Sequence, residues 1–404
     1  MVQNMTELKK ALVLLLILCF VVAISKTGMV KADLETVVVP DDYVTIQEAV
    51  DNAPEGGTVF VRSGSYSERV IVRKPLSLIG EDPETTDISV FLLERSYGAI
   101  EVLAENVTIS GFTIKDTHSG IIIKGGDSPP SRCKIIGNNI VNNSRWGIFC
   151  TSMVENQNHI ISGNYIAGNG DAMYVTSSNS VISGNNITGN RLGGILTDSC
   201  SNITFSGNNI SSNGAGALEI GQDGPFYVYG NNITDNNGYG IQFNGCSNST
   251  VYQNNIIRNG VGINLNNYGL FEESPSLGSG NTVYRNNIVD NSRQVIVDQV
   301  YEMTAVWGGE HEFINGTDVV SWDNSREGNY WSDCTGTGTY VIDENNTDHY
   351  PLMSPVTISA TAPPSQDSPS DSTLAIVASV AVAVVVLVAA FTVYKIRKKP
   401  CSQQ

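Results

Sequence analysis

The sequence predicts an all-β protein, a right-handed parallel β-helix solenoid, with a short helical cap in front and a single membrane-crossing helix behind. Three observations carry that expectation. A short phrase recurs about every 23 residues, one asparagine in it never varies, and the surrounding residues alternate as strands do, without a helical period.

The phrase is Gly-Asn-Asn-Ile. It stands at Gly137, Gly163 (with Tyr165 as its third residue), Gly184, Gly207 and Gly230, and continues as Gln253-Asn254-Asn255-Ile256 and Arg285-Asn286-Asn287-Ile288. Steps from Gly184 to Gly207 and on to Gly230 are 23 residues; others are 26, 21 and 32, so insertions fall in loops. The first Asn is invariant (Asn138, Asn164, Asn185, Asn208, Asn231, Asn254, Asn286). Five residues on stands another (Asn143, Asn169, Asn190, Asn213, Asn236, Asn259, Asn291). Residues two apart in a strand share a face, so the first Asn and the Ile point inward and the second Asn of the pair points out.

Such a unit cannot bury its apolar face alone. Stacking successive turns about 4.8 Å apart buries it and places the invariant asparagines above one another, where their amides bond into ladders. Asn also tolerates the left-handed backbone of a tight corner, and that role is expected of the invariant Asn. Residues 58–330 make about 12 rungs at this period, and parallel crossovers are right-handed.

The open ends of such a solenoid need caps. Thr45-Ile46-Gln47-Glu48 is a capping box, and Ile46, Ala49, Val50 and Ala53 follow a helical stripe, which predicts a short helix over the first rung. At the far end Gly328-Asn329-Tyr330-Trp331-Ser332-Asp333 repeats the Gly-Asn signal with two aromatics, as suits a lower cap.

Both chain ends read as membrane-related. Lys9-Lys10 precede an apolar run from Ala11 to Ile24, the length of a signal-peptide core, with Asp33 as the expected mature start. Leu374 to Tyr394 is almost wholly Ala, Val, Leu and Ile, and Lys395, Arg397, Lys398 and Lys399 follow, placing the tail in the cytoplasm. The expected order is a signal peptide (1–32), an N-terminal cap (33–57), the β-helix (58–330), a C-terminal cap (331–356), a Ser/Pro/Thr stalk (357–372), a transmembrane helix (373–394) and a basic tail (395–404). The β-helix is thereby expected outside the cell at the plasma membrane. A formal net charge of −17 and only 23 basic residues argue against a nucleic-acid partner.

Asp41–Asp82 ("DDYVTIQEAVDNAPEGGTVFVRSGSYSERVIVRKPLSLIGED") resembles the opening of pectinesterases and related right-handed β-helix proteins. The "GNNI" rungs and the closing "GNYWSD…YVIDENNTDHYPLM" resemble the NosD-type periplasmic copper-binding family and its carbohydrate-associated relatives. That resemblance implies a β-helix, and either a role in copper-enzyme maturation or the binding and processing of polysaccharide. Relatives often carry an Asp/Gly-rich insert, a calcium loop, where this chain has only Cys334 to Thr339. Asp343, Glu344 and Asp348, with Asn345, remain as weak calcium candidates.

The chemistry that copper needs is scattered. His118, His159, His311 and His349 are isolated; Met153, Met173, Met303 and Met353 form no cluster; Cys200 and Cys246 share a column two rungs apart, too far for a disulfide. Five cysteines lie in the ectodomain (Cys133, Cys150, Cys200, Cys246, Cys334), an odd number without a C-x-x-C pair. Pectinesterase and polygalacturonase signatures are absent. The register nonetheless marks one face. An outward column reads Phe149, Tyr174, Leu196, Glu219, Gln242, Asn264, and the next reads Thr151, Thr176, Asp198, Gly221, Asn244, Asn266. Aromatic faces beside amides and carboxylates suit sugar rings, so Phe149, Tyr174, Asp198, Glu219, Gln242 and Asn244 form the expected carbohydrate-binding set. Asp198 and Glu219 lie on adjacent rungs, about 8 Å apart by strand geometry, a spacing that an inverting glycosidase pair uses. The outward Asn186, Asn209 and Asn232 head glycosylation sequons. The leading expectation is therefore a surface protein that binds extracellular polysaccharide or serves as an interaction scaffold for surface proteins. A polysaccharide hydrolase or lyase is the alternative, and a copper-enzyme accessory protein is the reading that the resemblance adds.

Overall fold

The computed structural model describes residues 35–90, 98–125, 129–151, 157–221, 223–266, 278–297, 320–336 and 338–358. The expected signal peptide, most of the stalk, the apolar helix and the basic tail lie outside the described residues, as do Met153, Met303 and His311 and the side chain of Asn266. Among the described residues no helix is long and apolar enough to cross a membrane.

Three parallel sheets wind around one core. The first has twelve strands, from Thr36–Val39 to Val320–Ser321; the second has eleven, from Gly64–Tyr66 to Tyr330–Trp331; the third has ten, from Val70–Val72 to Arg293–Val297. Each strand pairs with its equivalent one repeat later, Asn186↔Asn209 and Ile187↔Ile210 for example. The repeat alternation therefore becomes columns: Ile140, Ile166, Ile187, Ile210, Ile233, Ile256 and Ile288 are all fully buried, one above the next.

Both expected asparagine ladders form, and their bonding explains the invariance. The Asn185 backbone N–H and its Nδ2 each donate to Asn208 Oδ1 at 3.0 Å, and Nδ2 also donates to the Ile161 carbonyl at 2.9 Å. Each side chain thus satisfies two backbone groups that the solenoid corner leaves without strand partners, for Asn185 the Asn164 N–H and the Ile161 carbonyl. The second ladder repeats the scheme, with Asn190 Nδ2 donating to Asn213 Oδ1 at 2.9 Å. A carboxylate cannot donate, and a hydroxyl has one hydrogen where the amide has two, one for the next Asn and one for a carbonyl.

The left-handed backbone expected of the invariant Asn belongs instead to the residue before it. Gly137, Gly163, Gly184, Gly207 and Gly230 hold φ between +62° and +66°, and Gln253 and Arg285 hold the same conformation in later rungs. The corner needs the Asn amide inside and extended; the chain reverses one residue earlier, where glycine costs least.

The caps are built as expected, with added partners. The helix Ile46–Asn52 starts at Thr45, whose hydroxyl accepts the Glu48 N–H at 3.1 Å. Two further N-terminal N–H groups, of Ile46 and Gln47, are taken by the carboxylate of Glu68 at 2.9 Å each, so the first rung ties down its own lid. Part of the expected cap segment is itself solenoid, because Thr36–Val39 pairs with Thr58–Val61. At the far end Asn329 extends the first ladder, and fully buried Asp348 terminates it by accepting the Asn329 N–H at 2.7 Å and the Trp331 Nε1–H at 2.8 Å. An acceptor-only carboxylate suits a position with no further rung to receive a donor. Trp322 and Trp331 close the core beneath it.

Candidate functional site

The outer face of the third sheet carries the expected columns in register. Phe149↔Tyr174, Tyr174↔Leu196, Leu196↔Glu219, Glu219↔Gln242 and Gln242↔Asn264 are direct partners on successive strands. Beside them runs a column the alternation alone does not place outside: Trp146, Asp171, Gly193, Gly216 and Tyr239. It faces out because the next residue, glycine or alanine in these rungs, is held against the core. A Cβ at Gly147 would lie 2.6 Å from the Ala172 carbonyl and 2.9 Å from Ile166 Cγ2. Two successive positions therefore turn inward, and the strand period slips by one.

That slip assembles an aromatic platform. Trp146 lies 5.8 Å from Phe149 and 5.3 Å from Tyr174, and the Phe149 and Tyr174 rings stack at 5.4 Å with 15° between their planes. The guanidinium of Arg145 lies 5.6 Å from the Trp146 ring centre. All three rings are part-exposed. Sequence reasoning found Phe149 and Tyr174 and missed Trp146.

Toward later rungs the platform gives way to carboxylates and amides. The Tyr174 hydroxyl donates to Asp198 Oδ2 at 3.2 Å, and the Ser199 hydroxyl donates to Oδ1 at 3.0 Å. Glu219 accepts from the Tyr239 hydroxyl at 2.8 Å and from Asn244 Nδ2 at 3.0 Å. The two carboxylates proposed as a catalytic pair are thus engaged in opposite directions along the solenoid axis, Asp198 with the preceding rung and Glu219 with the following one. Burial, with Asp198 beside it, pushes the Tyr174 phenol up to about 12. Burial and the Glu219 carboxylate raise Tyr239 further. Both phenols stay protonated and donating. Asn264 Nδ2 donates to Gln242 Oε1 at 3.1 Å, while the buried Asn244 Oδ1 and Asn264 Oδ1 find no donor among the described residues.

Asp171 is the second residue that sequence reasoning missed. It is 8% exposed, and its Oδ1 accepts the Gly193 N–H at 2.7 Å. Burial holds its carboxyl above the usual range, against the opposing pull of that N–H and of Arg145. It also contributes to the raised pKa of Tyr239, which places it in the field of the Tyr239–Glu219 pair.

The other candidates fall elsewhere. Asn186, Asn209 and Asn232 stand on the outside of the second sheet and form an exterior ladder, Asn209 Nδ2 donating to Asn186 Oδ1 and Asn232 Nδ2 to Asn209 Oδ1, each at 2.9 Å. The calcium candidates are not gathered into a site. Asp343 accepts from the Asn345 and Asn346 N–H groups, Asp348 is committed to the ladder end, and among the described residues no group of three His, Cys, Asp or Glu is placed to hold a metal ion. The same residues give copper no such group either. His159 is buried, with Nδ1 accepting the Cys133 N–H at 3.2 Å, and burial pushes Cys133 up to about 11 and Cys150 and Cys200 up to about 12, far from thiolate ligands. Among the described residues no disulfide joins any of the five cysteines.

Comparison with known proteins agrees with this architecture. The chain matches the right-handed beta helix region over residues 98–225 and again over 154–306, together just over half its length. The chain belongs to the right-handed β-helix family. The family match supports the β-helix part of the resemblance noted in the sequence and does not extend to NosD-type proteins or copper. A cell surface glycoprotein of Methanothermus fervidus is 28% identical to this β-helix protein over 130 residues, which are 31% of this chain and 21% of the relative. The chain therefore spans about a fifth of that relative's length. Among solved structures, ORF18 of Geobacillus virus E2 aligns with a TM-score of 0.53 and 17% identity, covering 63% of this chain and 57% of that one. The A-module of the Azotobacter vinelandii mannuronan C-5 epimerase AlgE6 aligns with a TM-score of 0.51 and 18% identity, covering 62% and 72%. These likenesses establish the fold.

Proposed function

We propose that this β-helix works outside the cell, recognising a polysaccharide chain laid along the outer face of its third sheet. One observation carries the reading: the Trp146–Phe149–Tyr174 platform runs, in rung register, into Asp198, Glu219, Gln242 and Asn244. Sugar rings offer apolar C–H faces to aromatic rings and hydroxyl edges to carboxylates and amides, and a solenoid repeats both at a regular rise. The name of the cell surface glycoprotein relative is in keeping with an extracellular place, and that of the epimerase neighbour with a sugar-chain ligand. In this reading the apolar segment 373–394 tethers the protein to the membrane, and glycans on Asn186, Asn209 or Asn232 stand on the second sheet, away from the recognition face.

The test is affinity electrophoresis of the full chain in native gels containing neutral, amino and acidic polysaccharides in turn. Retardation by at least one, lost in Trp146→Ala and Tyr174→Ala, is expected. Unretarded migration in every gel would remove the proposal.

Polysaccharide hydrolysis is the second reading, favoured by three carboxyls, Asp171, Asp198 and Glu219, on successive rungs of one sheet, with burial holding that of Asp171 above its ordinary value. A protonated carboxyl supplies the proton that a leaving glycosidic oxygen needs, and a carboxylate takes one from the attacking water. Glu219 would serve as that base, with Asp171 or Asp198 as the acid. Reducing-end release by the full chain, abolished in Glu219→Gln, tests it; release unchanged in that variant sinks it.

A further inference from the structure

The hydrogen-bonding character of the same face narrows the ligand, an inference that rests on the recognition reading above. The rung stretches 146–151, 171–176, 193–198, 216–221 and 239–244 contain Asp171, Asp198 and Glu219 and no Lys, Arg or His. One cation, Arg145, stands at the platform edge, and the others nearby are engaged away from Asp198 and Glu219. Arg145 lies over Trp146; Arg191 donates to the Gly168 and Ser144 carbonyls; Arg69 and Lys124 pair with buried Glu101, two rungs before Phe149. Among the described residues Asp198 and Glu219 receive neutral donors and pair with no cation.

Four donors beside the carboxylates and amides are committed. The hydroxyls of Tyr174 and Tyr239 point into those carboxylates, and Asn244 and Asn264 use their Nδ2 groups on Glu219 and Gln242. Among the described residues Asn244 Oδ1 and Asn264 Oδ1 are buried without a donor, so both amides are turned with their oxygens inward. The charge carried by these rung stretches is therefore all on acceptors. A ligand that completes this face must bring N–H or O–H groups and must not bring negative charge, since a carboxylate or sulfate here would meet like charge without a partner.

We infer that the polysaccharide recognised on this face carries no acidic groups: a donor-rich chain of neutral or amino sugars, with polyuronates and sulfated chains rejected by the Asp198–Glu219 stretch. The aromatic platform holds the apolar face of a ring, and the acceptor stretch takes the hydroxyls or ammonium groups of the next residues.

The experiment titrates the full chain, at low and at physiological salt, against immobilised neutral β-glucan, chitosan, polygalacturonate and alginate. Retention by the glucan or chitosan at least about ten-fold stronger than by either polyuronate is expected, with the gap narrowing as salt screens the repulsion. The Asp198→Asn/Glu219→Gln double variant should gain polyuronate binding while its Tm stays near that of the parent. Preference for a polyuronate in the parent protein overturns this inference and leaves polysaccharide recognition standing. Retention by none of the four, with none by any neutral chain in the gels above, overturns recognition itself. Chitosan retention that survives Trp146→Ala arises from the overall charge of −17 and counts against the inference.

Discussion

The Tyr239 phenol reaches back one rung to donate to Glu219 at 2.8 Å, and its ring occupies the space where a Cβ of Gly216 would stand. A glycine in one rung thus seats the aromatic of the next and orients the carboxylate between the platform and the amides. Gly216→Ala is expected to displace the Tyr239 ring and to cost about 1–3 kcal/mol through overpacking. Thermal unfolding measures the cost. Tyr239→Ala in the Gly216→Ala background should recover most of it, because the clash is with that one ring.

The interior ladder predicts a sharp contrast between adjacent asparagines. Asn185→Ala leaves the Asn164 N–H and the Ile161 carbonyl buried without partners, a loss of roughly 2–5 kcal/mol. Asn186→Ala, one residue on and exposed, should stay within about 0.5 kcal/mol of the parent. Urea unfolding of the two variants reads both values.

Acid should weaken the fold through His159. Burial lowers its pKa from 6.5 to about 4, so the folded state holds the ring neutral while the unfolded chain protonates it first. Stability is full above the unfolded pKa and falls as pH drops from about 6.5 toward about 4, by on the order of 3 kcal/mol from this group. His159→Asn keeps an acceptor for the Cys133 N–H, as Asn281 does for Ser249 at 2.8 Å, and should flatten that part of the Tm-against-pH curve. An unchanged slope would place the acid sensitivity elsewhere.

The lower end should depend on Asp348 and not on calcium. Asp348→Ala strips the acceptor from the Asn329 and Trp331 N–H groups and should open the last rung first, seen as early hydrogen exchange near Asn329 and a change in tryptophan emission. Added calcium or chelator should leave Tm within error, because the oxygens of Asp343 and Asp348 already serve protein donors. A calcium-dependent rise of several degrees would contradict this.

Much of the solenoid was legible because stacking forces chemistry to repeat. Asn185 and Ile187 read as inward and Asn186 as outward from period-two alternation, Asn190 as a ladder residue from its repetition, and the structure places each there. The corner was misread by one residue, since Gly and Asn both tolerate a left-handed backbone and only the ladder bonds distinguish them. On the face, Phe149, Tyr174, Glu219 and Gln242 were found from their column. Trp146, Asp171 and Tyr239 were missed because two successive inward residues, such as Gly147 and Ile148, break the alternation that locates a column.

The sequence by itself determined the repeat, its inward asparagines and isoleucines, and the identity of both caps, because each depends on neighbours at a fixed distance along the chain. Only the tertiary structure decided which carboxylate meets which phenol, that Glu68 holds the lid helix, and that Asp348 ends the ladder. Those contacts join residues 17 to 24 positions apart across rungs whose loops vary in length. Side-chain reach and the slip of the strand period set them, and neither is written in local pattern.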